Sequence, residues 1–211
     1  MSPRGRPRAF DAEQALDRAL QVFWSSGFTA SSLDDLCAAM GIARPSLYAA
    51  FGDKEDLYLA AIARFRGWME AGFRAAIEGA ETRREGILAF QRHSIARYQS
   101  GNTARGCFAI CTATTEAISY PRIRTVLAGL ITELDVSFAA VLASARKRGE
   151  LPASADVHAL GRMLSATQHT LAVRARAGAS TAELDQIAQD SLAVVFGSPA
   201  KRRSRAGAKR D

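Results

Sequence analysis

The run GIARPSLYAAFGDKE, residues 41–55, sets the narrowest condition on the fold. Gly41 and Pro45 break it, Leu47, Tyr48 and Phe51 load it with large side chains, and Gly52 opens a mixed charge cluster. A core helix excludes such breakers, and a solvent loop has no use for three large apolar groups. Short helices divided by tight turns accommodate both. Gly41-Ile42-Ala43 reads as a turn, and Arg44-Pro45 opens a short helix, because proline's missing N–H costs nothing in a first turn. That helix runs to about Phe51. Gly52 ends it, Asp53 caps the next helix, and Lys54 lies in that helix's first turn. Leu47 and Phe51, spaced i, i+4, share the face turned to a core, which leaves Tyr48 pointing outward. Helix, glycine turn, short helix is the helix-turn-helix arrangement.

The flanking segments keep the 3.6-residue period. Asp11 caps a first helix, with Gln14 three residues on, and Leu16, Leu20 and Phe23 follow with Ala15 and Ala19 on one face up to Gly27. Ser31 and Ser32 can cap a second, where Asp34 and Asp35 suit the helix dipole and Leu33, Leu36, Cys37 and Met40 form the apolar stripe. A long fourth helix is expected from Lys54 toward Ala80, and further helices over 82–100, 107–119, 122–148, 155–177 and 181–196. No Val/Ile/Thr-rich segment is bounded by Asn-Gly or Asp-Gly, and proline numbers only 6. The fold class is therefore all-α.

The charge is unevenly placed. The chain carries +7, but residues 198–211 hold six Lys/Arg against Asp211, which leaves +2 for the other 197 residues. The tail has the composition of a disordered segment. It reads either as a solubilising extension or as a non-specific anchor on nucleic acid. No apolar run approaches the ~18 residues that span a bilayer, and no apolar stretch follows the basic start MSPRGRPRAFD, so no secretory signal and no membrane partner are expected. The expected compartment is the cytoplasm. Three cysteines make no disulfide framework. An enzyme reading has no Gly-rich phosphate loop, paired-His motif or nucleophile elbow behind it, and no cofactor or metal is called for. A pure interaction module would place acids or apolar residues where Arg44, Tyr48 and Lys54 stand.

Those three suit a nucleic acid. Arg44 can take guanine or a phosphate, and Ser46 a base or the backbone. Tyr48 offers a hydroxyl to phosphate and a ring to a thymine methyl. Lys54 and Ser32, at helix starts, can meet phosphate beside a positive helix end. The arm Arg4-Gly5-Arg6-Pro7-Arg8 is similar to arms that enter the minor groove. Residues about 9 to 69 resemble the DNA-binding domain of TetR-family transcriptional regulators. Leu20, Phe23, Gly27, Phe28, Ser32, Leu36, Gly41, Ile42, Leu47, Tyr48, Phe51, Lys54 and Leu57 carry that resemblance, with Pro45 in the pattern GI..P.LY..F.DKE.L. It implies a homodimer whose N-terminal three-helix helix-turn-helix domain binds a palindromic double-stranded operator. It also implies a larger C-terminal helical bundle holding a small-molecule effector and the dimer interface, so that ligand binding releases DNA. Tyr48 and Lys54 match the family's usual phosphate contacts. The implied organisation is a basic flexible arm over 1–8, the DNA-binding domain over 9–69, the ligand-binding and dimerisation domain over 70–197 and the basic disordered tail over 198–211.

In the C-terminal half, Phe90, Ile95, Phe108, Ile110, Thr114 and Phe138 are candidate pocket residues by apolarity, against a plain reading as bundle core. His93 and His169 read as core or interface histidines. In ARGCFAICTATTEA, residues 104–117, Cys107 follows Gly106 at a helix start beside Arg105, and a helix N-terminus and an adjacent cation both lower a thiol's pKa. The placement resembles the Gly-Cys of the family's electrophile-sensing subset. Cys111 lies on the same face, too far for a disulfide within the helix. A reactive sensor at Cys107 and a pair of packed thiols are both open, whereas Cys37 reads as structural. Dimerisation is expected through the last two helices, on stripes of Leu160, Leu164, Leu171, Ile187, Leu192 and Val195.

Overall fold

The computed structural model describes residues 10–101 and 104–197. The described residues form nine helices and no strand: α1 (Ala12–Ser26), α2 (Leu33–Met40), α3 (Arg44–Phe51), α4 (Lys54–Glu78), α5 (Arg83–Tyr98), α6 (Phe108–Glu116), α7 (Pro121–Lys147), α8 (Val157–Arg176) and α9 (Thr181–Phe196). The arm with Arg4 and Arg6, and the tail, lie outside the described residues.

Local chemistry sets most helix starts. The Asp11 carboxylate accepts from the Glu13 and Gln14 backbone N–H groups. Ser32 and Asp35, Asp53 and Asp56, Thr82 and Glu85, and Ser180 and Glu183 form reciprocal capping boxes on α2, α4, α5 and α9. Each such cap contributes about 1 kcal/mol. Gly41 closes α2 in the left-handed region at φ 70°, the backbone that makes the turn into α3 tight.

Leu20, Phe23, Leu36, Leu47 and Leu57 are fully buried where α1 to α4 meet. The packing does not stop at α4. Trp24 meets Phe65 at 5.2 Å, and Phe108 of α6 touches both Tyr58 (5.6 Å) and Phe65 (5.7 Å), edge to face. One hydrophobic core therefore runs from α1 through α6 to α8 and α9. A second, around Ile87, Phe90, Phe138, Leu142, Leu164 and Leu192, fills the far end of the bundle. Helix α4 passes unbroken through residues 69 and 70, the expected domain boundary, so the two halves share it.

Two expectations change. The stripes assigned to a dimer contact are largely internal: Leu164, Leu171 and Leu192 are fully buried and Val195 nearly so, because α8 and α9 turn those faces onto α5 and α7 or onto each other. The outer face of α8 instead shows Met163, Ala166, Thr170 and Val173 at i, i+3, i+7 and i+10, and α9 shows Val194. The second change concerns α7. It is long and apolar enough to cross a membrane by length and composition, with mean hydropathy 1.9 over eighteen residues, 28% of them buried. Glu133 and Asp135 interrupt its apolar run, which hides the helix from a search for unbroken apolar residues. Here it packs on α8 and reaches α4, α5 and α6 as a bundle helix.

Candidate functional site

Helix α3 is anchored by one face. Leu47 is fully buried and Phe51 partly so, against Phe10 at 6.5 Å. The opposite face shows Arg44, Pro45 and Tyr48, the last half exposed, with Ser46 at its edge. A half-exposed tyrosine ring on a short helix, with none of the described residues covering it, presents a surface for another molecule.

The cations beside it are already held within the fold. The Arg44 guanidinium grips Asp34 with two bonds, Nε to Oδ1 at 3.0 Å and a second nitrogen to Oδ2 at 2.7 Å. That carboxylate raises the Arg44 pKa. The Ser32 hydroxyl accepts from Asp35 N–H at 3.0 Å and donates to Asp35 Oδ2 at 2.6 Å. Lys54 Nζ lies 4.7 Å from the Phe28 ring centre and donates to the Thr29 carbonyl at 3.4 Å. Burial draws its pKa down, and the Glu116 charge partly offsets that. Residues 10–61 hold three Lys/Arg, namely Arg18, Arg44 and Lys54, against eight Asp/Glu. The head is thus acidic apart from its arm, and few cations are placed to meet phosphate.

The head is tied to the bundle through both ends of α6. At its start, the Trp24 indole N–H donates to the Gly106 carbonyl at 3.0 Å. Gly106 has φ 69°, and a Cβ there would come within 2.5 Å of the Ala172 carbonyl oxygen and 2.6 Å of Cys111 Sγ, so only glycine fits. In the middle, the Tyr58 and Thr112 hydroxyls share a hydrogen bond at 2.6 Å. At its end, the Glu116 carboxylate accepts from Thr29 N–H (3.3 Å) and from the Thr29 hydroxyl (2.6 Å). Thr29 is the residue whose carbonyl holds Lys54.

A cavity of about 680 Å³ opens among α4 to α8. Of the pocket candidates, Phe90, Ile110 and Cys107 line it. Phe108, Cys111, Phe138, Ile95 and Thr114 do not. Phe108 is spent in the aromatic seam, Phe138 packs behind Phe73 (5.5 Å) and Phe90 (6.1 Å), and Cys111 lies against the Ala172 carbonyl at 3.8 Å. His169 is on the wall, as are Tyr98 and Gln168, which sequence reading passed over. Their one signal was polarity on the inner faces of apolar helices.

The lowered thiol pKa expected at Cys107 is reversed. The residue caps α6, and the Ile110 and Ala109 N–H groups do favour the thiolate, but burial outweighs them and pushes the pKa up to about 12. Arg105 does not help: its guanidinium lies 4.5 Å over Trp24 and donates to Gln21 Oε1 at 2.7 Å. No group of three or more metal-ligating side chains occurs among the described residues.

An outward-facing short helix in a helix-turn-helix, joined to a bundle with a cavity, defines a DNA-binding transcriptional regulator with an all-helical second domain. Residues 15–61 match the family described as bacterial regulatory proteins, tetR family, and residues 83–190 match the tetracyclin repressor-like C-terminal domain. The chain belongs to the TetR family. It is 35% identical over 190 residues to the HTH-type transcriptional repressor ComR of Escherichia coli K12, covering 90% of each chain. It is 32% identical over 162 residues to the HTH-type transcriptional regulator EthR of Mycolicibacterium smegmatis, covering 72% of this chain and 70% of that one. Among solved structures, a cysteine-substituted TetR-family regulator CifR, complexed with 26-bp double-strand operator DNA, superposes with a TM-score of 0.80. It is 33% identical and covers 90% of this chain and all of that one.

Proposed function

We propose that this protein is a repressor that binds a palindromic operator as a homodimer and is released by a small molecule held in the α4–α8 cavity. The carrying observation is α3, which buries Leu47 and turns Arg44, Pro45 and Tyr48 outward. Tyr48 and Lys54 grip phosphate, Arg44 reads a base edge, Ser46 and Ser32 support them, and the arm with Arg4 and Arg6 supplies the charge that the acidic head lacks. Two copies meet through the outer faces of α8 and α9, and the site of action is the cytoplasm, where the DNA is.

Helix α6 links ligand to DNA in this reading. Cys107, Ala109 and Ile110 stand on the cavity wall at its start, and Glu116 at its end holds Thr29 and, through it, Lys54. A ligand that displaces the start of α6 disturbs the loop that positions a phosphate-binding lysine. Burial raises the Cys107 pKa, which favours a non-covalent guest over attack by the thiol in this reading.

The test is selection of bound duplexes from a random pool, followed by titration of variants at several salt concentrations. The selected sites should be inverted repeats. Lys54→Ala should weaken binding to all sequences and lower the salt slope by roughly one unit, for one lost phosphate contact. If Tyr48→Phe, Lys54→Ala and Arg44→Ala all bind like the parent, α3 is not the reading helix and the proposal fails.

A further inference from the structure

The inner wall of the cavity is polar at one place. Tyr98 and Gln168, 1% and 2% exposed, line it with Cys107. Gln168 Nε2 donates to the Tyr98 hydroxyl at 2.8 Å. Gln168 Oε1 is buried and has no hydrogen-bond partner among the described residues. A buried carbonyl oxygen left so bears the full loss of its hydration, and such atoms are nearly always paired in folded proteins. What this one lacks is a donor. Gln91 and Ser165 also carry unpartnered buried atoms, but neither lines the cavity.

The rest of the wall argues for an uncharged guest. Phe65, Met69, Phe73, Leu130 and Leu134 make it apolar. The charged residues of its lining, Arg66, Glu70, Arg74, Glu78 and Glu133, are all exposed and stand at the rim, where Arg66 is matched by Glu70 at 2.6 Å and Glu133 at 3.0 Å. Burial lowers the pKa of His169, partly offset by Asp135, and so favours its neutral ring. The volume, about 680 Å³, suits a drug-sized molecule.

We propose that the cavity takes an uncharged, largely apolar molecule with one hydroxyl or N–H donor at its inner end, and that Gln168 Oε1 accepts that hydrogen bond. This rests on the effector reading of the cavity given above. A ketone of the same shape sets a lone pair against a lone pair, a hydrocarbon leaves Oε1 bare, and a carboxylate at the inner end brings a charge away from the arginines, which stand at the rim.

The experiment is calorimetric titration of the full chain with menthol, menthone, p-menthane and cyclohexanecarboxylate, repeated with Gln168→Leu after its fold has been checked by circular dichroism. Menthol should bind at least about tenfold more tightly than menthone, since a site that hydrogen-bonds a hydroxyl discriminates strongly against its absence. The carboxylate should give no measurable heat. In Gln168→Leu the alcohol should lose its advantage. Equal binding of alcohol and ketone, a preference that survives Gln168→Leu, or no binding by any of the four overturns the donor assignment. If Gln168→Leu does not fold, the alcohol–ketone comparison in the unaltered chain decides. Adding selected operator DNA separates the two readings. Menthol that binds preferentially yet leaves DNA bound keeps the donor assignment and sinks the effector role. Menthol and menthone that release DNA alike do the reverse.

Discussion

Arg44 and Asp34 form a two-bond ion pair on the exposed face of the head, both mostly solvated. Such a pair is worth little in stability, so its consequence is for binding. Arg44→Ala should cost roughly 1–3 kcal/mol in operator affinity and relax preference at one base pair per half-site. Asp34→Ala should act oppositely on scrambled duplex: it removes a negative charge and frees the guanidinium for any phosphate, so non-operator binding tightens and discrimination falls. Titration of both variants against operator and scrambled DNA checks this, and unchanged discrimination in Asp34→Ala refutes it. Cys107 makes a second prediction. The thiolate is the reactive form, and burial holds the pKa at about 12. The fraction ionised therefore rises tenfold with each pH unit through 7 to 10, with no plateau. Iodoacetamide labelling read by mass spectrometry should follow that course, with Cys107 slower than the more exposed Cys111. A plateau near neutral pH restores the sensor reading.

Helix α6 shows where the sequence stops speaking. Helix starts were legible because their determinants are local: Asp11, Ser32, Asp53, Thr82 and Ser180 each cap within three residues of themselves. Helix α3 was legible for the same reason, in Gly41, Pro45, Leu47 and Gly52. The cavity was not, since Tyr98 and Gln168 lie 70 positions apart and meet only when α5 and α8 pack. Arg105 was misjudged likewise: adjacency to Cys107 says nothing of Trp24 and Gln21, which take its guanidinium. Two substitutions test α6 as the link. Gly106→Ala drives a Cβ into the Ala172 carbonyl and should destabilise by roughly 1–3 kcal/mol, as strained backbone and overpacking do. Glu116→Gln should fold normally while loosening Thr29, so that ligand still binds and DNA release weakens. Thermal melts and operator titrations with ligand distinguish the two, and normal release in Glu116→Gln removes Glu116 from the link.

Assembly depends on surfaces that hydropathy alone misassigned. A stripe of leucines at helical spacing can face its own bundle or a second copy, and Leu164, Leu171 and Leu192 chose the bundle. Met163 and Val173, about half exposed, and Val194, more so, remain on the outer faces of α8 and α9. Val173→Asp should leave the melting temperature of the monomer little changed, since the position is solvated, while shifting sedimentation from dimer to monomer and abolishing binding to the full inverted repeat. A parent chain that sediments as a stable monomer at micromolar concentration refutes the dimer outright.

The aromatic seam of Trp24, Tyr58, Phe65 and Phe108 has a thermal consequence. Its rings belong to both halves, and α4 runs through both, so neither half can melt and leave the other's packing whole. Cooperativity of this kind makes the chain a single calorimetric unit. A fragment ending near residue 69 loses Phe108 from over Tyr58 and Phe65 and should not hold its fold. Conversely, binding of a guest in the cavity, which Phe65 of the seam also lines, should raise the transition of the head along with that of the bundle, in one peak. Two separated peaks in a scanning calorimeter mean that the seam does not bind the halves together.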